Sequence, residues 1–190
     1  MNEIQLQNLL EKSGAILSGH FLLTSGRHSN RYIEKFRVLE DPKTLDVVCK
    51  QMANPYITKN IEIVLGAAIG GILIAGGVGR HLGVKHIFSE RVNGKMELRR
   101  GFDLLKGVRV LIVEDIITTG GSVFELIDLA SRNKAKIVGV VNLVERGIHP
   151  IDFGVPSKAL LNLPSESWEG DACPLCKDSI PITKRGRSGK

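Results

Sequence analysis

The apolar positions along this chain fall into two rhythms. Up to residue 55 the pattern is mixed. Leu6, Leu9 and Leu10 share one face of a helix predicted over residues 3–12, which ends near Ser13-Gly14. Residues 21–23 and 31–33 then read as two short strands joined by the polar stretch 24–29. Asp41 is placed to cap a helix with Pro42 in its first turn and with Leu45, Val48, Cys49 and Met52 on the buried face. From residue 61 the rhythm becomes strand, loop, helix, repeated. Strands are expected at 61–65, 85–89, 108–113 and 136–144, with helices over 72–82 and from the glycines at 120–121 to about Arg132. The charged segment 90–101 reads as a surface loop. Near-continuous Val/Ile/Leu strands alternating with helices predict an α/β fold with a parallel sheet covered on both faces.

In such sheets ligands bind beyond the carboxyl ends of the strands. Four polar groups of residues fall there: 66–71, Glu90-Arg91, 114–122 and Glu145-Arg146. The third is the most informative. Four apolar residues, 110–113, run into Glu114 and Asp115, then Ile116 and Ile117, then Thr118, Thr119, Gly120, Gly121 and Ser122. A helix opening at such a turn presents unpaired N–H groups that favour an anion such as phosphate. The two glycines allow close backbone approach, and the hydroxyls add donors. It is neither a Walker loop, lacking the lysine after the glycines, nor a G-x-G-x-x-G dinucleotide turn. Two carboxylates add nothing to a site for phosphate alone. They make sense if the phosphate is attached to something rich in hydroxyls, such as a ribose.

Composition narrows the class without changing this picture. With 190 residues, 43% apolar and 24% charged, the chain reads as one soluble α/β domain. The net charge of +6 is concentrated in residues 184–190 and in Arg91, Lys95, Arg99 and Arg100, so it speaks less for nucleic acid than for two local features. Residues 63–79 are uncharged but contain six glycines, which fits a strand, a turn and a buried helix better than a membrane span. The first residues lack the pattern of a secretory signal, and three cysteines make no disulfide framework, so a cytoplasmic compartment is expected.

The string 113–122 resembles the phosphoribosyl pyrophosphate signature of the type I phosphoribosyltransferase family. Within that family the chain is similar, from about residue 14 to residue 182, to the branch that acts on orotate. The supporting segments are 25–29, 89–101 and 145–147. The resemblance implies one domain over 1–190 with a Rossmann-like parallel-sheet core at about 41–147. It also implies a small hood from about 1–40 and 148–182, and a basic tail at 183–190. It implies transfer of a phosphoribosyl group from phosphoribosyl pyrophosphate to orotate. Glu114 and Asp115 are expected on the ribose hydroxyls, and the stretch Ile116, Ile117, Thr118, Thr119, Gly120, Gly121 and Ser122 on the 5′-phosphate. Arg91 and Lys95 are expected on the pyrophosphate and, with Asp115, in catalysis; Thr118 and Arg146 are expected on orotate. Mg²⁺ is implied on the pyrophosphate, with no ligand directly from the protein. A homodimer is implied, in which the loop 90–101 reaches the neighbouring site as a mobile cationic lid. Transfer to another base, such as adenine or xanthine, is the nearest alternative. A regulatory descendant that senses phosphoribosyl pyrophosphate or nucleotide is the rival from another class.

The chain departs from the common family pattern at three places. Thr24 stands where many relatives carry lysine, Ile69-Gly70 where they carry Tyr-Lys, and Glu97 where some carry histidine. Arg27, Arg99 and Arg100 are candidates to replace the missing contacts. Cys173 and Cys176 have zinc-knuckle spacing, but a structural zinc takes four ligands, so a metal there needs Cys49, a histidine or a second chain. His20, His28, His81, His86 and His149 show no ligand spacing and read as surface or structural residues, and Trp168 as a packing anchor for the tail.

Overall fold

The structure, a computed structural model, describes residues 1–23 and 25–185; Thr24 and residues 186–190, the end of the expected basic tail, lie outside the described residues. In chain order the elements begin with helix α1 (Glu3–Lys12), strands β1 (Ile16–Leu22) and β2 (His28–Ile33), and helices α2 (Phe36–Leu39) and α3 (Pro42–Ala53). There follow β3 (Ile63–Ala67), α4 (Gly70–Leu82), β4 (Lys85–Val92), β5 (Lys95–Leu98), β6 (Arg109–Ile117), α5 (Gly121–Arg132) and β7 (Lys136–Glu145). The chain ends with β8 (Ser157–Asn162), β9 (Ser167–Trp168), α6 (Pro174–Lys177) and β10 (Thr183–Lys184). Local chemistry sets the helix starts. Asn2 and Gln5 form a reciprocal capping box on α1, and the Asp41 carboxylate accepts from Thr44 N at 2.9 Å ahead of Pro42.

Six strands form the central sheet in the order β5-β4-β3-β6-β7-β8; only the β4–β5 pair is antiparallel. Alternation along each strand divides the core in two. Leu111 and Val113 of β6 join Leu6, Leu10, Val48, Met52, Ile74 and Val78 on one face. Val110 and Ile112 join Val123, Leu126, Leu129 and Ala130 on the other. Each fully buried side chain of this size contributes roughly 1.5–3 kcal/mol. Strand order reverses between β3 and β6, so α4 and α5 cover opposite faces and a crevice opens beyond the carboxyl ends of those two strands. The uncharged run 63–79 is β3, a turn and most of α4, and among the described residues no helix is long and apolar enough to cross a membrane. A second sheet, in the order β10-β1-β2-β9, draws two strands from each end of the chain.

The segment 90–101 is the main correction to the sequence reading. It is not a surface loop but largely a β-hairpin that widens the central sheet, with Val92 opposite Lys95. Asn93 and Gly94 have φ of 49° and 82°, as a two-residue hairpin turn requires. Met96 packs inward against Ser89, and Arg100 grips Glu90 through two hydrogen bonds of 3.0 and 2.9 Å. The other differences are of extent. β6 runs on to Ile117, so both acids belong to the strand, and β8 was not foreseen as a strand at all.

Helices α3 and α4 touch through Gly77: a Cβ there would lie 2.4 Å from Cys49 Sγ and 2.9 Å from Cys49 Cβ. Gly77→Ala is therefore expected to destabilise the fold by about 1–3 kcal/mol through overpacking. Urea unfolding measures this; a loss within experimental error would show that the two helices separate freely.

Candidate functional site

The carboxyl end of β6 supplies the site's centre. Thr118 and Thr119 are exposed, and Gly120 turns the chain in the left-handed region at φ 78° before α5 begins. A Cβ on Gly120 would meet the Phe153 ring at 2.9 Å, so both backbone and packing call for glycine. No side chain caps α5, which leaves its first N–H groups directed at the space above the loop. That space is a cleft of about 330 Å³ lined by Arg91, Glu114, Ile116, Ile117 and all five residues from Thr118 to Ser122, together with Val123 and Glu125.

The two acids behind the loop are buried, Glu114 at 7% and Asp115 at 3% exposure. Glu114 lines the cleft and accepts from Asp115 N at 2.9 Å. Burial pushes its carboxyl up to about 8, and the neighbouring Asp115 charge adds to the rise. Asp115 does not line that cleft; its Oδ2 lies 2.8 Å from Lys35 Nζ, while Oδ1 accepts from Ile116 N at 2.7 Å. This carboxylate explains the departure at Gly70. A Cβ on that residue would lie 1.7 Å from Asp115 Oδ2, so a side chain there would displace the acid. Lys35 instead brings an ammonium group to the acid from the end of β2. Sequence reasoning missed Lys35, which sits in no motif and shares no spacing with the loop.

The expected base-contacting pair is brought together. Arg146 N donates to Ile117 O at 2.8 Å, so Arg146 leaves β7 directly beside Thr118. Partial burial of the guanidinium lowers its pKa from the ordinary arginine value, while the nearby Tyr32 phenol opposes that shift. Its Nε donates to Ser165 Oγ at 3.2 Å, and among the described residues no carboxylate pairs with it.

The two lid cations are separated. Arg91 lines the cleft, held by Glu125 at 2.8 Å and donating to Gly94 O at 2.9 Å. Lys95 lines a neighbouring depression with Glu125, Asp128 and Arg132. Two of the cations considered as substitutes are committed elsewhere. Arg27 clamps β2 to the Ser167 and Glu169 region, and Arg100 is engaged by Glu90.

Comparison with known proteins agrees with this arrangement. The family model for the phosphoribosyl transferase domain matches residues 38–153. An orotate phosphoribosyltransferase of Desulforamulus reducens is 45% identical over 186 residues, covering 98% of this chain and 97% of the relative. One from Thermotoga maritima is 42% identical over 184 residues, covering 97% and 98%. Among solved structures, orotate phosphoribosyltransferase from Aeropyrum pernix superposes with a TM-score of 0.70 at 27% identity, covering 83% of this chain and 93% of that one. With that domain model matched over more than half of its length and full-length relatives above 40% identity, the chain belongs to the orotate phosphoribosyltransferase family.

Proposed function

We propose that the crevice beyond β6 transfers the phosphoribosyl group of 5-phospho-α-D-ribose 1-diphosphate to orotate, forming orotidine 5′-phosphate and diphosphate. The observation that carries this reading is the adjacency of Thr118, at the mouth of the phosphate-suited loop, to Arg146, a half-buried guanidinium that no carboxylate pairs with among the described residues. Backbone N–H groups and hydroxyls from Thr118 to Ser122 take the 5′-phosphate. Glu114 and Asp115 accept from the ribose hydroxyls. Arg146 grips the carboxylate-bearing base, with Thr118 on its edge.

Breaking the anomeric C–O bond develops positive character on the ribose and negative charge on the leaving diphosphate. The protein's part is to position the base and stabilise those charges, with no covalent nucleophile. Arg91 and Lys95 supply cations to the diphosphate. Mg²⁺, when bound, would accompany the diphosphate and supply charge neutralisation there, with no ligand directly from the protein. The donor set fits that role: Asp115 is paired with Lys35 and Glu114 is held largely protonated near neutral pH, so neither is a ready protein ligand. In the proposed homodimer the segment 90–101 reaches the partner's cleft, a role suited to Lys95, which lines a neighbouring depression and not its own cleft. The proposed division into a core at about 41–147 and a hood from about 1–40 and 148–182 follows the two separate sheets except at β8, which pairs with β7 in the central sheet. A cytoplasmic location is supported by three free cysteines.

Consumption of orotate, followed by its ultraviolet absorbance with phosphoribosyl pyrophosphate and Mg²⁺ present, tests the reading directly. Arg146→Ala is expected to raise KM for orotate at least about ten-fold, the loss of one charge-assisted contact, with little change in KM for phosphoribosyl pyrophosphate. Equal weakening of both would remove Arg146 from the base site. The double change Glu114→Gln with Asp115→Asn should lower turnover by about 100-fold or more while circular dichroism stays native. A near-normal rate would dismiss the ribose role of the acids.

Glu114 also links stability to pH. Its folded pKa lies above its ordinary value of 4.5, so its contribution is fully present below pH 4.5 and is lost as pH rises toward 8. Glu114→Gln should therefore stabilise the ligand-free protein at pH 8.5, by on the order of 2 kcal/mol, and much less at pH 5. Thermal melts at the two pH values check this; an equal effect at both would mean that Glu114 is already ionised in the folded protein.

A further inference from the structure

Sequence spacing left Cys173 and Cys176 two ligands short of a metal site. The fold supplies the missing pair. His20 of β1 and His28 of β2 meet the two thiols, and the four ligand atoms lie within 4.8 Å of one another. The strand register shows how His20 reaches the cluster. Between Ser18 and Phe21, β1 carries an irregularity that sets two of its residues, Gly19 and His20, against one on β2. Such a bulge re-aims a side chain, and Gly19 at φ 155° accommodates it. His20 and Cys173 are buried, His28 is half-buried, and Cys176 is exposed.

Three of four ligand-atom distances match a closed tetrahedral metal site, and the His20–His28 separation is shorter. His20 Nε2 lies 2.9 Å from His28 Nδ1, 3.5 Å from Cys173 Sγ and 3.8 Å from Cys176 Sγ; His28 Nδ1 lies 3.3 Å from Cys176 Sγ. A tetrahedral zinc with ordinary Zn–S and Zn–N bonds holds its ligand atoms roughly 3.3–3.8 Å apart. The outer contact also fits. His20 Nδ1 lies 2.7 Å from Ile180 O, and a carbonyl oxygen only accepts. Nδ1 therefore carries the hydrogen, and Nε2 turns a lone pair toward the cluster, as in zinc-bound histidines oriented by a backbone carbonyl.

We propose that His20, His28, Cys173 and Cys176 form a structural zinc site. Thiolate and imidazole donors select a borderline-soft ion over Mg²⁺. Four protein ligands leave no open position for substrate, so the ion's work is mechanical. It staples the segment around α6 to the β1–β2 hairpin, in a sheet whose outer strands β9 and β10 pair over only two residues each. The same β2 strand carries Tyr32, the phenol beside Arg146, so the staple also stiffens one wall of the crevice.

The test begins with protein purified without chelators and dialysed exhaustively. Elemental analysis is expected to find about one zinc per chain. Replacing that zinc with Co²⁺ should give the strong visible absorption of a tetrahedral thiolate site, and added Zn²⁺ should quench it. Cys176→Ser alters an exposed thiol with little packing to lose, so in a metal-free protein it should be nearly silent. Here it is expected to reduce retained zinc at least about ten-fold and to lower Tm by several degrees. Should that variant fail to fold, the cobalt spectrum of the unaltered chain decides alone. The proposal is overturned by weak octahedral cobalt absorption, by thiols that react freely with a disulfide reagent in the presence of Zn²⁺, or by a mass showing a Cys173–Cys176 disulfide.

Discussion

Strand β6 is hydrogen-bonded along both edges and buried on both faces, which leaves it no freedom to shift or tilt. The other functional groups take their positions from the place where it ends. β3 on one side and β7 on the other stop nearby, so the turn at 66–71 and Arg146 arrive at the same crevice as the loop at 118–122. Winding reverses between β3 and β6, and that reversal opens the crevice. A site built this way needs few long-range polar contacts, because the sheet's register already aligns its parts.

The electrostatics of the crevice follow from placing two acids inside the strand rather than on the loop. Burial alone would leave adjacent carboxylates repelling one another in a poorly solvated place. The structure relieves this in two ways. Glu114 favours its neutral form, and Asp115 receives Lys35 from the turn between β2 and α2. The absence of a side chain at Gly70 gives Asp115 room to accept that partner. One departure from the family pattern thus accompanies a different local solution, in which the cation comes from another part of the chain.

Much of the core was legible because burial leaves a periodic trace. Val48, Cys49 and Met52 at helical spacing, and the unbroken apolar run of β6, each pointed to the right element. The acids at 114 and 115 hid the true end of β6, since polar residues inside a strand look like the start of a loop. Asn93-Gly94 was a readable hairpin signal, but the surrounding charges drew attention to a lid. Lys35 and the two histidines were illegible for a different reason. Their partners lie 80 and about 150 residues away, brought close only by tertiary packing that no local pattern encodes. Position in space, rather than residue type, decided what those side chains face.

The second sheet has a temporal consequence. Phe21 pairs with Thr183, so β1 cannot gain its outer neighbour until residue 183 has left the ribosome. The central sheet is complete at β8, more than twenty residues earlier. During synthesis the core can therefore form while the β1–β2 hairpin still lacks both of its flanking strands. A nascent chain cut short after residue 170 would own the loop at 118–122 and both acids, yet would lack Cys173, Cys176 and β10. A product truncated there carries a second sheet without one of its outer strands, an exposed edge of the kind that quality-control proteases are suited to recognise.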